Sequence, residues 1–473
     1  MNLSNNFDEN IIKINDALGI GKAFDVSSRP YTILNKKVTL YFLAGLIANI
    51  EIIEVMKKVL SLNANEESFD EFDTIYNNIS HQDLSIINTY DKVINSVLNG
   101  IIVLIIEGYD KAIAIATRSY PTRGIAEPDT EKVIRGSHDG FTENFAINVA
   151  LMRRRVKDGR LRNVIFNIGS SSPTYVCLSY IEGLCDEEMI NQVKEKLENI
   201  KTPHLIMTDK ALEELMLNQK FNPYPLVRYT ERADIVSIHL YQGSFAIFVD
   251  TSPSVILAPA TIFDHLTYTE EYRQTPISGS FLRIIRYGGV FISLFLTPVW
   301  LLLVMNEANL PSEFSIFIPD EKVKIGIFIQ IVLAEVGVEL LRMASIHTPT
   351  ALSTAMGLVA GMLLGDVAIQ IGIFSIQTVF LVAISAVGTY ITPSYELGLA
   401  NKISKLLFLV VIFIFNIYGF IAIVILWFIY LATRKSFTRG YLYPLIPFNL
   451  KRLIKTLFRT TNKEEKENAK IKM

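Results

Sequence analysis

Charge is scarce in this chain, and its absence is concentrated. Only 19% of the 473 residues are Asp, Glu, Lys or Arg. The stretches Tyr287 to Asn306, Met343 to Gly365, Val367 to Tyr395 and Leu406 to Thr433 hold none at all. Such runs exclude an ordinary soluble chain, because about 20 apolar residues suffice to cross the hydrocarbon core of a bilayer. Cysteine is rare as well. Cys177 and Cys185 are too few for a disulfide framework or a cysteine metal site and read as buried small hydrophobes. Neither GxxxxGK[ST] nor HExxH nor CxxC occurs, His138, His239 and His265 stand singly, and Ser170-Ser171-Ser172 before Pro173 reads as a turn. Catalysis is therefore not expected, nor is a cofactor, a metal or a nucleic-acid partner.

What remains is a chain in two parts. About 286 residues read as soluble α/β sequence, and the uncharged runs follow. Half of all residues are hydrophobic and the mean hydropathy is +0.33, values expected of an integral membrane protein. Charge is segregated too: Arg434 to Met473 holds eleven Lys/Arg against three Asp/Glu, whereas Asn306 to Glu321 holds Glu307, Glu313, Asp320 and Glu321 and no base. By the positive-inside rule the tail is cytoplasmic and the acidic loop lies outside. The opening MNLSNNFDENIIKINDALGIG lacks a basic segment followed by an apolar one, so no cleavable signal peptide is expected and the soluble part stays cytoplasmic.

The soluble part repeats. VTLYFLAGLIANIEIIEVMKKVL from Val38 lies over VCLSYIEGLCDEEMINQVKEKL from Val176, so that Gly45-Leu46 meets Gly183-Leu184 and Val55 meets Val193. Downstream, GIIVLIIEGYDKAIAIA from Gly100 lies over GSFAIFVDTSPSVILAP from Gly243. Each copy reads as a strand, a glycine corner, a helix and a second hairpin. The expected order is an α/β subdomain in 1–117, an ordered linker and helix in 118–160, a second α/β subdomain in 161–275, a transmembrane helical domain in 276–435 and a basic tail in 436–473. The linker helix is expected from Thr142 to about Lys157. Its bases Arg153, Arg154, Arg155 and Lys157 suit phosphates or acidic headgroups, or simply a helix C-terminus.

In the membrane part, Glu335, Glu339 and Arg342 are spaced four and three residues apart and share one helical stripe. Ionisable groups at that depth face a bundle interior or a wet cavity, which makes them candidates for an ion pathway or gate; an intrahelical Glu339–Arg342 pair that simply locks helices together at the cytoplasmic interface is the alternative. Gly357, Gly361 and Gly365 recur every fourth residue and suit close helix packing, with Asp366 held beside them for packing or for ion handling. About four spans are expected, with a re-entrant or tilted helix at Thr350 to Ala368 between the breakers His347-Thr348-Pro349 and Thr392-Pro393; five full spans would instead put the basic tail outside.

Several stretches together resemble the A-subunit family of spore germination receptors. They are YPTRGIAEPDTEKVIRGSHDGFTENFAINVALMRRRVKDGRLR in the linker, which contains Pro121, Arg123, Glu127, Pro128, Arg135, Gly136, Gly140, Phe141 and the Arg153 to Arg155 triplet, and GDVAIQIG with AISAVGTYITPSYEL in the membrane part. LGIGKAFDVSSRPYTILNKKVTLYFLAGL and RMASIHTPTALSTAMG look most like the stage V sporulation branch. The resemblance implies a protein of the spore inner membrane that acts in germination, assembling as a pentameric ion channel. It also implies germination partners: a permease-like subunit and a lipoprotein for receptor A subunits, or a small membrane protein for this branch.

Overall fold

The computed structural model describes residues 1–47, 49–62, 70–81, 83–117, 119, 136–217, 219–307, 311, 316–319, 324–347, 361 and 365–459. They group into two units, one of residues 1–219 with 229–259, the other of residues 220–228 with 260–473.

The first unit holds two five-stranded antiparallel sheets. One is built from α1 (Phe7–Leu18), β1 (Val26–Ile33), β2 (Lys36–Leu43), α2 (Asn49–Leu60), α3 (Glu71–Asn78), β3 (Leu84–Ile87), α4 (Tyr90–Leu98), β4 (Ile102–Ile106) and β5 (Ala112–Ile115). After α5 (Phe145–Arg155) come β6 (Leu161–Ile168), β7 (Thr174–Ile181), α6 (Glu187–Asn199), α7 (Thr208–Leu217), β8 (Arg228–Thr230), α8 (Ala233–Tyr241), β9 (Phe245–Val249) and β10 (Val255–Ala258). The strand orders are β1-β2-β4-β5-β3 and β6-β7-β9-β10-β8, the same path traced twice. β4, β5, β9 and β10 are buried at every residue, which is why IVLII, AIAI, FAIFV and VILA read as continuous apolar runs rather than alternating ones.

The two copies agree position by position. Leu40 faces Leu104 in the first sheet and Leu178 faces Ile247 in the second, the pairs that the sequence overlay aligns. Gly45 and Gly183 have φ of 85° and 79°, a left-handed corner that glycine adopts without strain. A Cβ on Gly100 would lie 2.6 Å from the Leu46 carbonyl oxygen, and one on Gly243 would lie 2.6 Å from that of Leu184. The same backbone-on-backbone approach is thus conserved between the copies.

The linker helix is shorter than expected. Thr142 does not begin it, because its N–H donates to Asn148 Oδ1 at 2.7 Å while Asn148 Nδ2 returns a bond to the Thr142 carbonyl at 2.5 Å. Asn144 is the cap instead, accepting from the N–H groups of Ala146 and Ile147. The helix ends at Arg155, where Val156 turns into the core.

The second unit is helical: α9 (Ile262–Leu266), α10 (Thr269–Arg273), α11 (Pro276–Met305), α12 (Ile327–His347), α13 (Ile376–Ile391), α14 (Tyr395–Thr433), the two-residue strands β11 (Lys435–Ser436) and β12 (Arg439–Gly440), and α15 (Leu450–Leu457). Among the described residues, two helices, α11 and α14, are long and apolar enough to cross a membrane. Only 17% of the most apolar window of α14 is buried, so that helix turns most of its apolar surface outward. α14 is broken at Asn416, which has φ 53° and ψ −138°. The side chain of Asn416 exchanges hydrogen bonds of 2.7 and 3.1 Å with that of Asn306, just past the end of α11.

A candidate ion site on three helices

α12 carries a polar stripe. Gln330 is fully buried; its side-chain oxygen accepts from the Ser375 N–H and the Thr378 hydroxyl, each at 2.9 Å. Further along, Glu335 and Glu339 face α14, which presents Lys402 and Lys405 with the same three-residue spacing that separates Glu339 from Arg342. Lys405 Nζ lies 2.5 Å from Glu335 Oε1, with each side chain 1% exposed, and it also donates to the Ser385 hydroxyl of α13 at 2.9 Å. Lys402 Nζ donates to Glu339 Oε2 at 2.7 Å. Arg342 meets the other oxygen of Glu339 at 3.1 Å and lies over the Tyr395 ring, 4.5 Å from its centroid.

These contacts form a ladder that grows wetter along α12, from 1% exposure at Glu335 to 19% at Glu339. Taking ions out of water costs several kcal/mol each, offset only by close partners and further hydrogen bonds. The Lys405 ammonium has both here, a carboxylate and a hydroxyl. Of the candidates read from the sequence, Glu335, Glu339 and Arg342 therefore come together. Asp366 is exposed. A Cβ on Gly361 or Gly365 meets nothing within 4 Å among the described residues; Gly357 and most of the expected re-entrant segment lie outside the described residues.

A close approach of two helix backbones involves glycines that belong to no repeat. A Cβ on Gly388 of α13 would clash with the Gly289 carbonyl of α11, and the Ser385 hydroxyl donates to the Ser293 carbonyl at 3.1 Å. Small residues bring the two backbones together. The segment 220–228 is anchored on α14 through Tyr224. The Trp427 indole N–H donates to its oxygen at 2.6 Å and the Ser404 hydroxyl lies at 2.8 Å. Burial pushes the Tyr224 phenol up to about 12, so it remains a neutral hydrogen-bonding group at any physiological pH.

The linker residues split. Arg153 is 1% exposed; its Nε donates to Asp25 Oδ2 at 2.9 Å and its other nitrogens to the carbonyls of Asp158 and Leu161. Arg155 pairs with Asp139 at 2.5 Å, and Arg154 is on the exposed side of α5. Phe141 is buried edge-on against Phe248, Gly140 bridges to Arg232, and Gly136 adopts a φ of 134°. Pro121, Arg123, Glu127, Pro128 and Arg135 lie outside the described residues.

The model of the family described as "Bacillus/Clostridium GerA spore germination protein" matches residues 13–471. This chain belongs to the GerA family. Among GerA relatives, the stage V sporulation protein AF of Bacillus subtilis (strain 168) is 43% identical over 456 residues, spanning 96% of this chain and 92% of that protein. The spore germination protein A1 of the same organism is 32% identical over 401 residues, 84% of this chain and 83% of the relative. Among solved structures, the N-terminal domain of the A subunit of the Bacillus megaterium spore germinant receptor GerK3 is 24% identical, covering 55% of this chain and 98% of that one, with a TM-score of 0.43. The expected resemblance to germination A subunits, and to the stage V sporulation branch, is thereby established. The relatives' shared role places the chain among spore germination and sporulation proteins.

Proposed function

We propose that this GerA-family chain is a subunit of an oligomeric ion channel in the spore inner membrane, and that its opening triggers or amplifies germination. The buried ladder from Glu335 to Arg342 carries the reading. Charges placed at membrane depth mark ion pathways and relays, and each rung here has an exchangeable partner: Lys405 has Glu335 and Ser385, while Glu339 has Lys402 and Arg342. In this arrangement the carboxylates are neutralised, as a closed gate requires, and freeing them exposes acidic groups to a passing cation. A homo-oligomer, a pentamer by resemblance, supplies the pore, and other germination membrane proteins supply the signal. No catalytic role is included.

The same pairing favours a second reading. A ladder satisfied within one chain also serves a non-conducting scaffold that relays signals between germination proteins. Reconstitution separates the two: purified protein in liposomes, with ion flux recorded and the mass of the solubilised oligomer measured. Flux from a defined multimer, altered in the Glu335→Gln/Lys405→Gln variant, supports the channel. No flux from a folded, inserted oligomer would sink it in favour of the scaffold.

A further inference from the structure

The end of the described chain is a short basic amphipathic helix. α15 places Leu450, Leu453, Ile454 and Leu457 on one side, while Lys451, Arg452 and Lys455 lie on the other, followed by Arg459. Residues 450–459 contain no acid. None of the eight residues of α15 is buried. Leu450, Ile454 and Phe458 are 58%, 48% and 47% exposed, with Leu453 and Leu457 half-buried, so much of the apolar side is open to the surroundings of the protein.

The height at which α15 is held is set by α11. Arg283, buried and paired with Glu271 at 2.8 Å, donates to the carbonyls of Lys455 and Thr456 at 3.3 and 2.9 Å. Tyr287 donates to the Thr456 carbonyl at 3.0 Å, and the Arg459 N–H donates to the Ser280 hydroxyl at 2.9 Å. These contacts satisfy carbonyls at the C-terminal end of α15, which have no partner inside the helix. They also tie α15 to the point where α11 passes from its last base, Arg286, to the uncharged run that starts at Tyr287. That point is where a membrane helix meets the headgroups, the usual depth of tyrosine.

We infer that α15 docks on an anionic lipid surface, its leucine and isoleucine side in the outer edge of the hydrocarbon and its bases on the headgroup phosphates. Helices with bases on one side and large apolar residues on the other lie in that plane. The inference rests on α11 crossing the bilayer, but not on ion conduction.

The test labels Ile454→Cys with an environment-sensitive fluorophore in the full chain, in a Cys177→Ala/Cys185→Ala background. The protein is placed in nanodiscs of phosphatidylcholine alone or with phosphatidylglycerol. A spin label carried on lipid and iodide in the water serve as quenchers, and a second label at Phe291→Cys on α11 reports membrane insertion. In anionic discs the probe at 454 is expected to be quenched by the lipid label and shielded from iodide. Replacing Lys451, Arg452 and Lys455 by Gln lowers the docked-to-free ratio about fivefold per base removed. Unchanged emission from Trp300 and Trp427 verifies that the helical unit is folded in each variant. Iodide quenching of 454 in anionic discs overturns the docking, as does shielding from both quenchers, which would mean that protein covers the face. Equal lipid quenching without anionic lipid overturns the role of the bases. Failure of lipid quenching at 291 overturns the membrane reading of α11 on which the inference stands.

Discussion

Arg153 with Asp25 and Lys405 with Glu335 are both ion pairs shut away from water, yet they are built differently. Arg153 offers a planar fork whose other nitrogens bond the Asp158 and Leu161 carbonyls, so its geometry is determined on several sides and no rotation keeps all of those bonds. Lys405 offers a compact ammonium on a flexible stem, held by one carboxylate and one hydroxyl. Arginine suits a permanent lock, and lysine suits a contact that is made and broken. A buried pair in the first unit thus reads as architecture, and a similar pair among the helices reads as a movable part.

The largest expected effects come from leaving one partner alone. Glu335→Gln or Lys405→Gln singly should destabilise the helical unit by about 3–5 kcal/mol, whereas the Glu335→Gln/Lys405→Gln double variant should recover most of that loss, as read by thermal unfolding in detergent. Arg153→Met in the first unit should cost a similar amount, and adding Asp25→Asn should recover less, because the Asp158 and Leu161 carbonyls remain without their donor. Equal recovery in the two double variants would erase the distinction drawn between the pairs.

Next in size are the glycines. Gly388→Ala should cost about 1–3 kcal/mol through its clash with the Gly289 carbonyl. Gly100→Ala and Gly243→Ala should cost matching amounts in their respective sheets, since each meets the same carbonyl approach with φ of 73° and 84°. Hydrogen exchange resolved by strand would read both, and a large inequality would show that the repeat is one of outline only.

The smallest effect is electrostatic. The Tyr109 hydroxyl lies 2.7 Å from a carboxylate oxygen of both Asp70 and Glu71, and its one proton, shared between them, holds both carboxyls below their ordinary values. Their folded values being depressed, this stabilisation is present at neutral pH and is lost as pH falls through the depressed values. Tyr109→Phe should therefore weaken protection of α3 less than tenfold at pH 7, as hydrogen exchange would show, with the difference vanishing in strong acid.

The repeat was legible because glycine corners and buried strands leave marks at fixed offsets within each segment, and the two overlays that align Leu40 with Leu178 and Leu104 with Ile247 align residues that pair with one another in each sheet. The acids of the ladder were legible as charges inside an apolar helix. Their lysines were not, because Lys402 and Lys405 stand just ahead of the uncharged run at Leu406 and read as flanking residues; their three-residue spacing was the available signal. Gly289 and Gly388 were invisible for a different reason, since a contact between two distant single glycines has no periodicity. Arg153 read as one of a basic cluster because composition cannot distinguish a buried guanidinium from a solvated one. In α15, the basic character of the tail concealed an apolar side one residue out of phase with it.

The ladder also has an electrical consequence. With every group ionised, two acids, Glu335 and Glu339, face three bases, Lys402, Lys405 and Arg342, so 3 − 2 leaves one positive charge in surplus. A unit charge carried through the whole field of a membrane changes energy by about 2.3 kcal/mol per 100 mV. In a bilayer crossed by these helices, a change in potential therefore acts as an axial force on α12 and α14 with no ligand bound.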